Sequence, residues 1–394
     1  MSGPQEGALA AFRLDDLQVV EAGDSGGLLR RIASTAAQVR TSLRACEEAG
    51  LELARPRAIV VAAGGASAQA GEVLAAVCGL GTQVQVTTVR GYRLPGWVGA
   101  ADLVVGVSSS GAGAEVRALA AEAVRRGCDF VGVGPAKSPL ADIAAQANGA
   151  YVPVEVDGSG RSSLWGLTVP LVFIASRLGA VRIPDDEYEG AAAVLEEVSH
   201  QCRPSSESFV NPAKSLALDI SGTLPLIWGA SPLAAVVARR FASLLATSAK
   251  YPALAGEFPG ATHDQVSILD GPFVPAPAPA FPSAEDLEAD LEDDEDEDEV
   301  GPPGPPEPRL VLIGDPGGEE PVYRRMREAT ATIAAERGIL MSPLTLEGEG
   351  PLRRLASVTQ LLDYASAYLG IASGLDPLAS PAREDLRNLV QEEG

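Results

Sequence analysis

Ser108-Ser109-Ser110-Gly111 follows the apolar run 103–107 and precedes a helix-forming stretch that reaches Arg126. Hydroxyls and free backbone N–H groups gathered where a strand gives way to a helix meet the positive end of the helix dipole, an arrangement that suits a phosphate monoester. The same serines would also serve a helix that binds nothing, as ordinary caps, and the loop alone leaves both readings open. Gly64-Gly65-Ala66-Ser67 repeats the pattern after the apolar run 58–63. It lacks the GxGxxG spacing and no acid ends the next β-rich run, so it is not a dinucleotide fingerprint. No Gly-Lys-Ser/Thr follows it, so it is not a P-loop. Two glycine-lined, hydroxyl-bearing loops at strand ends predict a small phosphorylated ligand at a topological switch point. Gly64, Gly65, Ser67, Ser108, Ser110 and Gly111 are the residues that would face it.

The elements that must hold these loops alternate along the chain. A helix over 28–48 stops at Gly50, and strands are expected at 58–63, 83–89, 103–107, 130–133 and 151–156, with helices between them. Helical sequence over 164–202, broken near Pro184, leads to a second half with the same scheme: strands at 224–228, 266–269, 309–313 and 339–346, helices at 233–250, 323–337, 352–372 and 383–392. Strands alternating with helices predict an α/β fold of two doubly wound domains, each a mostly parallel sheet flanked by helices. The boundaries expected are an N-terminal segment 1–27, a first domain 28–182, a helical connection 183–211 and a second domain 212–394. The stretch 272–308 is proline-rich, then acidic, then proline-rich, and is expected to be a disordered insertion.

Composition narrows the function further. The 394 residues carry a formal charge of −23, which argues against nucleic acid as a partner. Twelve acidic residues and no basic one lie within 283–299, about half of that excess. A basic partner for the run 285–299 is one reading of it, and a solvated insertion is the plainer one. Cys46, Cys78, Cys128 and Cys202 are far apart with no CxxC pair, and His200 and His263 are the only histidines. Neither a metal site nor a cofactor is expected from them. The apolar stretch 164–180 is interrupted by Arg177 and reads as a buried helix, not a membrane span. The first residues lack the order of a signal peptide, so a cytoplasmic protein without membrane contact is expected.

Taken in order, the motifs resemble the bifunctional phosphoglucose/phosphomannose isomerases, which contain two sugar isomerase (SIS) domains. Val89-Arg90-Gly91-Tyr92-Arg93-Leu94-Pro95 is similar to that family's Arg-x-Tyr-x-x-Pro element. The serine loop resembles its Ser-Tyr-Ser-Gly-Asn-Thr-Glu-Glu loop, and 160–164 resembles the stretch holding its active-site arginine. In the second half 224–229, 363–369 and 374–377 fit, and Lys214 and Lys250, two of only three lysines, fall where the family has Asn-x-Ala-Lys and Asn-Glu-Asn-Ala-Lys. The plainer reading of those lysines is that a long side chain covers a helix end.

The resemblance implies a sugar phosphate ligand, a homodimer and aldose–ketose interconversion through a cis-enediolate. His263 falls at the family's ring-opening histidine, which there comes from the neighbouring subunit, and Arg161 at the arginine that steadies the developing negative charge. The family's proton-shuttling glutamate is replaced by Thr247, whose hydroxyl is no base near neutral pH. Gly113 stands in place of a phosphate-binding threonine, Ala112 in place of asparagine, and Arg387 in the register of a C-terminal lysine. Among nearby acids, Glu257 lies between Lys250 and His263 and is the candidate substitute base; Asp264 and Glu115 are the others. The resemblance therefore implies a sugar-phosphate-binding relative of these isomerases, or else a non-catalytic phosphosugar sensor or scaffold.

Overall fold

A computed structural model describes residues 13–156, 160–274 and 306–392. The acidic run 285–299 and most of the insertion expected at 272–308 lie outside the described residues. The first half opens with three helices, α1 (Leu17–Gly23), α2 (Leu28–Ala33) and α3 (Thr35–Glu48). The single helix expected over 28–48 is thus two. Ser34 turns both its N–H and its hydroxyl back to the Arg31 carbonyl, at 3.1 and 2.7 Å, and so competes with the helical ladder.

The first sheet follows: β1 (Ala58–Ala63), α4 (Ala68–Cys78), β2 (Gln85–Val89), β3 (Leu103–Val107), α5 (Ala114–Arg125), β4 (Asp129–Gly134), α6 (Pro139–Gln146) and β5 (Ala150–Pro153). Its order is β2-β1-β3-β4-β5 and every pair is parallel. All residues of β1 and β3 are buried, as unbroken apolar runs in a sheet covered on both faces should be. The chain leaves β1 toward β2, then crosses back to place β3 on the other side of β1. The loops leaving these two strands therefore diverge around a crevice, with Ala63 beside Val107 at its lip.

Two long helices, α7 (Leu164–Arg177) and α8 (Asp185–Gln201), lead to α9 (Pro212–Ile220) and the second sheet. It is formed by β6 (Leu224–Gly229), β7 (Leu254–Glu257), β8 (Pro308–Gly314), β9 (Leu340–Met341) and β10 (Leu344–Thr345), again all parallel. The covering helices are α10 (Pro232–Leu244), α11 (Pro321–Glu336) and α12 (Pro351–Ala372), and α13 (Pro381–Glu392) follows. No helix among the described residues is long and apolar enough to cross a membrane.

The second half departs from expectation in three places. The strand expected at 266–269 is a turn of 3₁₀ helix, Gln265–Asp270, opened by the Asp264 carboxylate, which accepts from the Gln265 N–H at 2.6 Å. The strand beside β6 is instead β7, where Gly256 lies against Trp228 so closely that a Cβ would come within 2.8 Å of the indole. The strand expected at 339–346 is split by Ser342 and Pro343; Ser342 still donates to Leu310 O, but Pro343 has no N–H to give. The helix expected to reach 250 ends in a wider turn, Leu245–Ala249, and Lys250 closes it in the left-handed region at φ +55°.

One apolar interior joins the two sheets. Ile59, Val61 and Val105 of the first and Ile227 and Val311 of the second pack in a single cluster with α7 and α12. Alternate residues such as Val60, Ala62 and Val104 face a smaller cluster under α5 and α6, and Leu226, Trp228 and Leu310 face another under α11. Cys46, Cys128 and Cys202 are buried and unbridged; burial pushes the Cys46 and Cys202 thiols up to about 12.

Candidate functional site

The first wall of the site is built by the loops after β1 and β3. Ser108 Oγ accepts from the Gly111 N–H at 2.9 Å and Ser110 Oγ from the Ala112 N–H at 3.3 Å, with the two hydroxyls 3.5 Å apart. Gly111 makes this tight return at φ +65°, where a Cβ would lie 2.2 Å from Ser138 Cβ, so glycine is required. The partner loop is bonded directly to it: Ser67 Oγ accepts from the Ser109 N–H at 3.1 Å. Beyond the serines Gly113 precedes α5 and offers no side chain to cap it. The first-turn N–H groups of a three-turn helix thus lie beside two hydroxyls, which concentrates donors and positive potential at one spot.

The opposite wall comes from the segment after β5 and from the second half. A Cβ on Gly160 would lie 2.9 Å from Ala66 Cβ, so this segment packs directly on the first wall. Arg161 reaches into the second half. Its Nη1 donates to Leu378 O at 3.3 Å, and its Nη2 to Thr247 O at 3.1 Å and Ser380 Oγ at 2.8 Å. Its own carbonyl accepts from Arg240 Nη2 at 3.0 Å. Arg240 is buried and held by Asp363 in a two-pronged pair of 2.9 and 2.6 Å, and its Nη1 donates to Gln69 of α4 at 2.9 Å. A planar guanidinium satisfied on every edge is a fixed strut, and this one sets where Arg161 begins.

Between the walls lies a cleft of about 590 Å³. It brings together Gly64, Gly65, Ser67, Ser108, Ser110, Gly113, Arg161 and Thr247, residues separated by as much as 183 positions in the chain. The Thr247 hydroxyl does not point a free proton at the space; it donates back to Ser243 O at 2.8 Å. Arg387 also reaches the cleft.

Gly111 shapes the serine loop without lining the cleft, and Glu257, His263 and Asp264 are not brought there. Glu257 ends β7 at the edge of the second sheet, and its Oε2 accepts from Arg239 Nη1 at 2.7 Å. His263 is exposed in the turn that follows, where its backbone N–H donates to Gly260 O at 2.8 Å. Neither lines the cleft of its own chain. The carboxylate that does line it is Glu115, in the first turn of α5. Position in the sequence favours Glu257, because it lies between Lys250 and His263; position in space favours Glu115, because helix α5 starts at the serine loop.

Sequence reasoning also missed Gln69, Arg240, Ser243 and Arg383 as lining residues. Only Arg240 left a trace, as a charge in the apolar stretch of α10 that must find a buried partner. The lysines prove to be ties. Lys214 Nζ is buried and donates to Leu14 O, Pro204 O and Ser206 O at 2.6, 2.8 and 2.7 Å. Lys250 Nζ donates to Asp376 O at 2.7 Å and Ser248 O at 3.1 Å, and burial, aided by the nearby Arg161 charge, holds its pKa below the usual lysine value.

Comparison with known proteins gives this arrangement relatives. Residues 209–390 match the bacterial phospho-glucose isomerase C-terminal SIS domain family. A bifunctional phosphoglucose/phosphomannose isomerase of Caldicellulosiruptor bescii is 25% identical over 214 residues, 54% of this chain and 63% of the relative. The match therefore spans under two thirds of that curated relative's length. Among solved structures, a hypothetical protein of Thermus thermophilus superposes with a TM-score of 0.65 at 18% identity, covering 100% of this chain and 95% of that one. A glucose-6-phosphate isomerase of Chlamydia trachomatis gives 0.67 at 13% identity, covering 97% and 84%. The C-terminal domain of glucosamine-fructose-6-phosphate aminotransferase from Francisella tularensis gives 0.57 at 13%, covering 89% and 97%. At these identities the structures speak for the fold, an α/β architecture of parallel sheets flanked by helices, and the sequence matches make the chain similar to the phosphoglucose/phosphomannose isomerases, with residues 209–390 matching the bacterial phospho-glucose isomerase C-terminal SIS domain.

Proposed function

We propose that this cleft binds a sugar phosphate, with the phosphate held by the serine loop, and that the chain has little or no isomerase turnover of its own. The observation that carries the binding half is the bonded pair of loops at the β1/β3 crevice, Ser67 to Ser109 N–H, with Ser108, Ser110 and the start of α5 on one side and Arg161 on the other. Hydroxyls and amides fixed by their neighbours need not reorganise to receive an anion, which is what makes such a cradle effective.

The second half rests on what stands where a base is needed. Moving a proton between adjacent carbons calls for a group with an effective pKa near neutrality, within hydrogen-bond reach of the carbon-bound proton. Thr247 cannot supply it, and Glu257 is occupied by Arg239 outside the cleft. Glu115 sits at the phosphate end, beside Gly64 and Gly113, where it would face the phosphate and not the reacting carbons. Loss of a general base lowers rate about 10²–10⁴-fold. The homodimer implied by the family belongs to the same reading, since the exposed His263 is free to approach a second copy.

A coupled assay with mannose 6-phosphate and fructose 6-phosphate tests this. The wild type is expected to show at most traces of turnover, with a gain in Thr247→Glu. Robust wild-type turnover would remove the non-catalytic reading. Fructose 6-phosphate should raise the melting temperature of the wild type by mass action and raise that of Ser110→Ala less. Equal shifts in the two would mean that the phosphate is held elsewhere.

A further inference from the structure

We infer that the cleft is built for a sugar carrying two anionic groups: one phosphate on the serine loop and a second between Arg383 and Arg387 of α13. The inference rests on the phosphosugar reading above and names the ligand class of that same site. Arg383 and Arg387 line the cleft from the second half of the chain, whereas the serines line it from the first. Their place is fixed by Arg161, whose guanidinium donates to Leu378 O and Ser380 Oγ just before α13 begins, while the adjacent Gly160 packs on Ala66.

The charges of this pair have no counter-ion among the described residues. Arg240, another arginine of the cleft, is neutralised by Asp363. Arg383 and Arg387 make no side-chain hydrogen bond or ion pair among the described residues, although the chain carries 53 acidic residues against 30 basic ones. Other arginines of the chain are matched, as Arg40 is to Glu189 and Glu196, Arg57 to Asp102, Arg327 to Glu319 and Arg354 to Asp315. Two like charges one helical turn apart repel each other, and an anion held between them relieves that repulsion. Guanidinium groups at that separation, each able to offer two parallel N–H donors, fit a single tetrahedral dianion.

The rest of the wall agrees. Where the family has a glutamate this chain has Thr247, so no carboxylate opposes an anion at this end, and Glu115 is held at the other, next to Gly64 and Gly113. Gln69, Ser243 and Thr247 also line the cleft and are polar enough for the hydroxyls of the sugar. A cleft of about 590 Å³ has room for a hexose with a phosphate at each end.

Isothermal titration of the full-length chain with fructose 6-phosphate and fructose 1,6-bisphosphate tests the inference. The wild type should bind the bisphosphate at least about tenfold more tightly, with the preference shrinking as salt rises. In the R383Q/R387Q variant the ratio of the two affinities should fall to about one, and R387K should keep part of it. Equal affinities in the wild type, or a preference that survives in R383Q/R387Q, overturns the second-anion inference and leaves the phosphosugar reading standing. Binding of neither ligand overturns both.

Discussion

Gly113 shows how much a single residue can report about this cleft. It stands at the cap of α5 with φ −53°, a conformation open to any residue, and a Cβ there would meet Val116 Cγ1 at 3.5 Å, Glu115 Oε2 at 3.7 Å and Ser108 Oγ at 4.0 Å. These are ordinary contacts, so a Cβ is accommodated there. Gly113→Thr supplies a hydroxyl at the uncapped start of α5. A glycine cap gives up only a few tenths of a kcal/mol to a hydroxyl-bearing one, so stability in urea should rise by about 0.5 kcal/mol or less. The same hydroxyl adds a donor for phosphate, and the thermal shift with fructose 6-phosphate should grow in step. A destabilised variant would show that Glu115 or Val116 already fills that space. Residue types indicated Ser108 and Ser110, and the resemblance to the isomerases indicated Arg161. Chain position put Glu257 ahead of Glu115, but closeness along the chain says nothing about which way a strand's last side chain turns, and Glu115 is the one that lines the cleft.

Among the elements, β3 carries the serine loop and is anchored at its other end by Asp102. That carboxylate accepts from Arg57 Nε at 2.9 Å, Arg57 Nη2 at 2.6 Å and the Gly99 N–H at 2.9 Å. Burial pushes its pKa up, but the Arg57 guanidinium and the Gly99 N–H outweigh this and hold it below the usual aspartate value. The unfolded chain then takes up the proton first, so the stability contributed is present above about pH 4 and is lost as pH falls through the lower folded value. Urea midpoints measured from pH 7 to pH 3 should fall less steeply for Asp102→Asn than for the wild type; identical slopes would contradict the pairing. Most of these elements are plain in the sequence, since strands buried on both faces must be apolar throughout, as β1 and β3 are. β7 is not, because Gly256 interrupts its pattern for the sake of Trp228 on the next strand, a reason that exists only in three dimensions. The apolar spacing at 265–270 misleads for the opposite reason: Val266, Ile268 and Leu269 pack under the second sheet from a 3₁₀ turn.

At the scale of the whole molecule, the cleft is a product of assembly. Arg161 belongs to the first half and its acceptors Thr247, Leu378 and Ser380 to the second, while Gln69 is bound by Arg240 across the same divide. Such pairings are invisible in a linear reading, which is why Gln69 and Arg240 escaped it. The interior shared by Ile59, Val61, Ile227 and Val311 has a consequence for how the protein fails. Neither sheet keeps a complete oily layer once the other has gone, so loss of one exposes the inner face of its neighbour to water. Calorimetry should therefore record one sharp endotherm instead of two, and a fragment ending at residue 211 should be captured by hydrophobic dyes where the intact chain is not. Two well-separated endotherms would mean that each half can survive the other's collapse.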